Sequence, residues 1–301
     1  MTINSKAAPL IAAGVTVLLW ASAFVGIRGV GATYSPGALA LGRLLIATAI
    51  LGVMVARRGF VRPSRRALLL TVTSGLLWFC AYNVALNAAE RHLDAGTAAM
   101  LVNVGPVVLA VLAGIFLKEG FPAKLVVGSA IALAGALVIG ASAAGGRHGD
   151  LIGVGLCLFA AVTYAGGVIA QKPAVGELPA LQVTWMCCAV AAIACLPAAP
   201  ALWTETVQAS GGAIAGLVYL GVFPTAIAFT TWAYALARTE AGKLGATTYL
   251  VPMVTALLSW LLLGEVPAPL ALAGGALCLV GVAVTRLKSK PKKLAEVGLS
   301  D

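Results

Sequence analysis

A chain of 301 residues that is 61% apolar and only 10% charged, with mean hydropathy +1.01, has too little polar surface to cover a water-soluble core of its size. Its 20 Lys and Arg against 10 Asp and Glu give a net charge of +10, yet no basic helix or aromatic-basic interleaving marks a nucleic-acid surface. Composition therefore points to a lipid bilayer as the chain's surroundings, excludes nucleic acid as a partner, and leaves the positive charge a topological meaning.

Flanking charges, prolines and glycines cut out ten apolar segments, at 8–27, 36–56, 67–89, 97–117, 123–142, 151–171, 180–200, 212–236, 244–263 and 268–286. Each has about the 20 residues that cross a bilayer's hydrocarbon core at 1.5 Å rise per residue. The connections are short and hold no soluble domain. The first segment imitates a cleavable leader, with Lys6 ahead of it and Ala21-Ser22-Ala23 in it. Its apolar run is longer than a leader's, and Trp20 stands just before the small residues, so it is read as a retained helix.

Polar and aromatic groups at membrane depth are the candidates for chemistry, because each is costly there unless it faces a cavity or a partner. Trp20 lies mid-span beside small residues, as does Tyr164 before Gly166-Gly167 at an offset of 144. Arg43 is the one fixed charge well inside a span, and it either attracts a substrate carboxylate or ties helix ends together. In the third span Trp78, Tyr82 and either Leu86 or Asn87 recur at helical spacing, with Asn83 and Asn87 one turn apart, so one face carries rings and amides together. That combination suits a ligand with a polar backbone and an apolar or ring side chain, the competing role for the amides being helix-to-helix hydrogen bonds. Asn103 and Tyr249 each precede a proline, Pro106 and Pro252, by one turn, where proline frees the carbonyls of Val102 and Thr248 or simply kinks the helix. Phe229 and Trp232 complete the cavity candidates. Cys80, Cys157, Cys187, Cys188, Cys195 and Cys278 lack metal-ligand spacing and read as small buried hydrophobes, and no cofactor or metal is expected.

Residues 95–119 (AGTAAMLVNVGPVVLAVLAGIFLKE) recur at 241–265 (AGKLGATTYLVPMVTALLSWLLLGE), an offset of 146 that keeps Pro106/Pro252 and Glu119/Glu265 in register. The offset continues through Gly128/Gly274 and Gly135/Gly281. Small-residue faces at Ala132, Ala136 and Gly140, and at Ala271 with Gly275, allow helices to approach closely. Five spans per copy is an odd number, so the second copy enters the membrane from the opposite face. The stretch 145–150 is the seam, which divides the chain into 1–145, 146–290 and a basic tail, 291–301. Alternate connections carry sixteen Lys and Arg on the side of both termini, including Arg57, Arg58, Arg62, Arg65 and Arg66, against Arg28, Arg91 and Arg147 on the other. The positive-inside rule then puts both termini in the cytoplasm. Inverted repeats with a site at their interface are a transporter arrangement.

Five-plus-five spans, the paired proline helices ending in Leu-Lys-Glu and Leu-Gly-Glu, the Gly-rich span after each, and Arg43 together resemble the drug/metabolite transporter superfamily, EamA branch, over nearly the whole chain. Within that branch the chain is most similar to the YddG-type exporters of aromatic amino acids. The resemblance implies a basket of ten helices in the bacterial inner membrane, a central substrate cavity and export from the cytoplasm.

The expected fold is thus an all-α integral membrane protein of ten helices in two inverted five-helix repeats, working as a monomer in the lipid bilayer. A carrier accounts for the repeat, the midplane polar groups and the prolines. An intramembrane enzyme would need a nucleophile and base, and a channel a selectivity ring, and neither pattern is visible. No acid lies inside a span, Glu90 and Asp94 being nearest, which argues against polyamines and for facilitated diffusion without a proton relay. The expected cargo is a small molecule, an aromatic or medium apolar amino acid such as Phe, Trp, Tyr, Met or Thr. The alternative is export of other metabolites or drugs, purines or organic cations, with or without proton coupling.

Overall fold

The computed structural model describes residues 7–116, 123–144 and 148–286. Glu119, residues 145–147 of the seam and the tail at 291–301 lie outside the described residues, as do the side chains of Ala136 and Tyr249 and the surroundings of Gly140. Among the described residues there are helices and turns and no strand. In chain order they form α1 (Ala8–Val30), α2 (Pro36–Arg58), α3 (Arg65–Ala89), α4 (Ala95–Phe116), α5 (Ala123–Ala144), α6 (His148–Glu177), α7 (Ala180–Ala194), α8 (Ala199–Gln208), α9 (Gly211–Leu236), α10 (Ala241–Gly245), α11 (Leu250–Leu263) and α12 (Pro269–Arg286). Among the described residues six helices are long and apolar enough to cross a membrane: α1, α2, α3, α4, α6 from Leu151, and α9. A seventh results if α7 and the segment after it count as one span. Shorter apolar helices lie within α5, α11 and α12. The protein is a multi-pass, all-helical membrane protein.

The apolar run at 180–200 is not one straight helix. It bends by 56° after α7, and α8 follows as a separate element. Pro197 and Pro200 sit at the start of the short turn and of α8, where a missing N–H costs nothing. Glu205 of α8 accepts from the backbone N–H of Ser35 at 2.9 Å, the bond that the acid of a capping box makes, and so ties α8 to the start of α2. At the other end of the molecule the ammonium of Lys172 donates to the carbonyls of Leu236 and Thr239, both at 2.6 Å, and fastens α6 to the C-terminus of α9.

The offset of 146 reappears in the backbone. Ser64 caps α3 through Ala67 N–H, and Ser210 caps α9 through Ala213 N–H. Each of these helices runs ten residues as α-helix and then widens into a π-helical segment, Gly75–Tyr82 in α3 and Gly221–Ile227 in α9. Breaks recur as well: α4 turns at Asn103 and Val104, and a 3-10 turn, Ala246–Tyr249, separates α10 from α11. Pro106 and Pro252 stand just after these breaks, near the start of a new helix, so proline interrupts the spans instead of gently kinking them.

Packing follows the same symmetry. α1 packs on α9 while α6 packs on α3; α1 packs on α11 while α6 packs on α4; α2 meets α7, and α5 meets α12. At the α5/α12 crossing a Cβ on Gly135 would lie 2.6 Å from Gly274 O, and one on Gly281 would lie 2.6 Å from Gly128 O. The contact is exchange-symmetric, since Gly128 and Gly135 are the repeat mates of Gly274 and Gly281. Only glycine permits backbones this close.

Candidate functional site

A cavity opens where α1, α2, α3, α4, α6, α9 and the α10/α11 junction meet, so both copies contribute to its wall. Its volume is about 60 Å³. By the same measure one water takes about 10–15 Å³, so this conformation has room for a few waters or a ligand's polar head.

The π-helical segment of α3 builds one wall. Its wider turns point Trp78 and Tyr82 inward, with Asn83 at its end. A π segment leaves carbonyls without their usual partner, and the Asn83 amide nitrogen donates to Phe79 O at 2.9 Å and Trp78 O at 3.3 Å. Asn83 thus lines the cavity while its donors hold the segment in shape. In α9 the corresponding repair uses Thr225. Pro224 has no N–H for Leu220 O, and the Thr225 hydroxyl donates to that oxygen at 2.6 Å.

The rings form a cluster drawn from both copies. Trp20 and Trp78 lie 5.7 Å apart edge-on, Trp78 and Phe229 4.9 Å, and Trp78 and Tyr164 5.3 Å. The small residues after Tyr164 have a definite use: a side chain on Gly167 would run into Trp78, so the glycine lets α6 close on α3.

Of the residues singled out in the sequence, Trp20, Trp78, Tyr82, Asn83, Asn103, Tyr164 and Phe229 stand on the wall, with Arg43 and Pro106. Trp232 stands behind it, fully buried 5.0 Å from Trp20. Asn87 faces another way, its amide nitrogen donating to Pro36 O at 3.1 Å, and so joins α3 to α2. Pro252 is buried off the wall. Sequence reasoning missed Phe24, Ile27 and Val251, apolar residues that line the cavity and carry no signal separating them from core; Leu86, which shares helical spacing with Trp78 and Tyr82, and Val102, singled out for its carbonyl, line it as well. It also missed Thr248 as a side chain, whose hydroxyl is engaged with Gly245 O at 2.6 Å.

Arg43 stands on the cavity wall and also bonds across helices. Its Nε donates to Thr225 Oγ1 at 3.2 Å, joining α2 to the π segment of the second copy, while its Nη1 is buried with no partner among the described residues. Near the end of the bundle where α3 runs into α4, Arg28 pairs with Glu265 at 2.7 Å and donates to Glu90 O at 2.7 Å. Glu90, just past the end of α3, is buried with both carboxylate oxygens unpartnered among the described residues. Burial holds its carboxyl well above the usual carboxylate range against the pull of Arg28 and Arg43, and Glu265 and Asp94 add to the rise.

The sequence profile of the EamA-like transporter family matches residues 8–141 and, a second time, 151–287. A protein of Streptantibioticus cattleyicolor named probable terminal-alkyne amino-acid exporter is 38% identical over 267 residues, 89% of each chain. The uncharacterized transporter YdfC of Bacillus subtilis is 33% identical over 93% of this chain and 91% of its own. A probable amino-acid metabolite efflux pump of Salmonella typhimurium is 25% identical over 93% and 95%. One crystal structure superposes with a TM-score of 0.71 at 22% identity, covering 94% of this chain and 98% of that one, a likeness of fold.

Proposed function

The chain belongs to the EamA-like transporter family of the drug/metabolite transporter superfamily, a membrane carrier of a small molecule and not an enzyme, and we propose that it exports amino acids with aromatic or medium apolar side chains. The observation that carries this reading is the cavity wall, which joins rings from α1, α3, α6 and α9 to amide and guanidinium groups and, among the described residues, includes no acid. Rings receive an apolar or aromatic side chain, and the polar groups receive a zwitterionic backbone. The names of the Streptantibioticus and Salmonella relatives point the same way.

In this reading the two copies, 1–145 and 146–290, are inverted five-helix repeats in the bacterial inner membrane, with both termini and the tail at 291–301 in the cytoplasm. The exchange-symmetric packing of α5 on α12 and the excess of Lys and Arg on one side support it. The carrier works as a monomer with no nucleic-acid partner, by alternating access. A cavity this small must widen to take cargo the size of phenylalanine. The π segments of α3 and α9 and the breaks in α4 and before α11 are where helices can change register. Transport follows the substrate gradient without proton antiport.

The test is uptake of labelled Phe, Trp, Met, Thr and a purine into proteoliposomes, with and without a pH gradient. Amino-acid uptake independent of the gradient, reduced by Tyr82→Ala, is expected. Movement of the purine alone moves the function to the metabolite side of the family. Uptake that requires the gradient and stops in Glu90→Gln refutes facilitated diffusion.

A further inference from the structure

The polar groups on the cavity wall are unequal. The Asn83 amide nitrogen and the Thr248 hydroxyl are engaged with carbonyls of their own segments. Three donors are not: Arg43 Nη1, Asn103 Nδ2 and Trp20 Nε1 are each buried and without a partner among the described residues, and all three residues line the same cavity. Arg43 and Asn103 are themselves more than nine-tenths buried. An unsatisfied buried donor is costly, more so when charged, so three on residues of one wall describe the ligand that would relieve them once the cavity widens. That ligand accepts hydrogen bonds and carries negative charge. No carboxylate lies within 4 Å of Arg43 among the described residues, and the wall itself contains no acid.

We propose that Arg43, Asn103 and Trp20 form a carboxylate subsite, so that a free carboxylate, more than an ammonium group, is the feature a cargo must possess. Guanidinium and amide face a carboxylate from α2 and α4, and the indole N–H from α1 adds a neutral donor. The rings of Trp78, Tyr164 and Phe229 lie on the same wall and receive the side chain. Arg43 is then a specificity-determining residue as well as a link to Thr225. The subsite deepens the amino-acid reading and extends it, because other apolar carboxylates such as 2-oxo or des-amino acids fit the same donors.

Binding to the purified full-length chain is measured with three probes of equal ring size: L-phenylalanine, 3-phenylpropionate, which lacks the ammonium, and phenethylamine, which lacks the carboxylate. The first two are expected to bind, and phenethylamine at least about tenfold more weakly, the consequence of a charged hydrogen bond worth about 1.5–3 kcal/mol. Arg43→Gln should weaken 3-phenylpropionate by about tenfold or more. Because that variant also loses the tie to Thr225, Asn103→Asp is the second arm: nearly the same shape, it puts an acid where the donor was. It should repel 3-phenylpropionate and admit phenethylamine, an inversion that a merely structural asparagine would not produce. Equal binding of phenethylamine and 3-phenylpropionate to the parent chain, or an unchanged ratio in Asn103→Asp, overturns the subsite. If the binding pattern holds while no labelled amino acid moves in proteoliposomes, the subsite stands and the amino-acid reading falls; if amino acids move and the ratio is unchanged, the reverse is true.

Discussion

Replacing Asn83 by leucine keeps the branching and heavy-atom count of the side chain and removes the two donors that close the π segment of α3. The bond to Phe79 O, at 2.9 Å, has ideal length, while that to Trp78 O, at 3.3 Å, is stretched. Only the first counts in full. Losing it costs about 0.5–1.5 kcal/mol as a bond and about 1–3 kcal/mol if the buried carbonyl is left dry. The expected destabilisation is therefore about 1–3 kcal/mol, close to one or two powers of ten in the unfolding equilibrium. The segment can escape the penalty by relaxing to an ordinary α-helix, which turns the residues on either side of it relative to each other by up to about 100°. Trp78 and Tyr82 could not then both keep their places on the wall. Equilibrium unfolding in mixed micelles, with uptake competition among Phe, Met and Thr, reads both effects. Stability within about 0.5 kcal/mol of the parent, the scatter of ordinary surface changes, together with unaltered cargo preference, would show that Asn83 does not hold the segment.

Two further outcomes follow from the geometry. Gly135→Ala and Gly281→Ala each force a methyl to 2.6 Å from backbone oxygen on the partner helix and should lower stability by about 1–3 kcal/mol, similarly for both because the contact is exchange-symmetric. Gly14→Ala, with nothing within 4 Å, should be neutral or stabilising by up to about 1 kcal/mol, and the same unfolding assay compares them. For Glu90, the folded chain keeps a proton that the unfolded chain releases above the ordinary value of about 4.5. Its contribution is full below that pH and is lost as pH rises toward the folded-state value. Glu90→Gln should therefore gain stability relative to the parent as pH goes from 5 to 8, read as the difference in Tm in detergent; a difference that stays flat, or falls with pH, contradicts a neutral buried Glu90.

The membrane class, most span positions and the duplication were legible in the sequence, because they rest on properties that survive without coordinates. Apolar length is set by bilayer thickness, and the offset of 146 aligns Pro106 with Pro252 whatever the helices do next. Trp20 and Tyr164 were singled out as rings beside small residues mid-span and Trp78 by its helical spacing to Tyr82, and all three stand on the wall. What the sequence could not separate was direction. Asn83 and Asn87 lie one turn apart and look alike in the sequence, yet the π segment sends one to the cavity rim and leaves the other bonded to Pro36 O. Trp232 and Phe229 sit one turn apart, and only Phe229 reaches the wall. The bend after α7 and the separate helix α8 escaped a reading that used hydropathy alone, because hydropathy persists through a turn whose backbone groups are satisfied elsewhere. The sequence by itself determined how many apolar stretches there are and that they come in two matched sets, since those are counts and spacings. Tertiary structure alone decided which polar atoms are already partnered, and so which remain for a ligand, because a hydrogen bond depends on where a neighbouring carbonyl lies and not on where its residue falls in the chain.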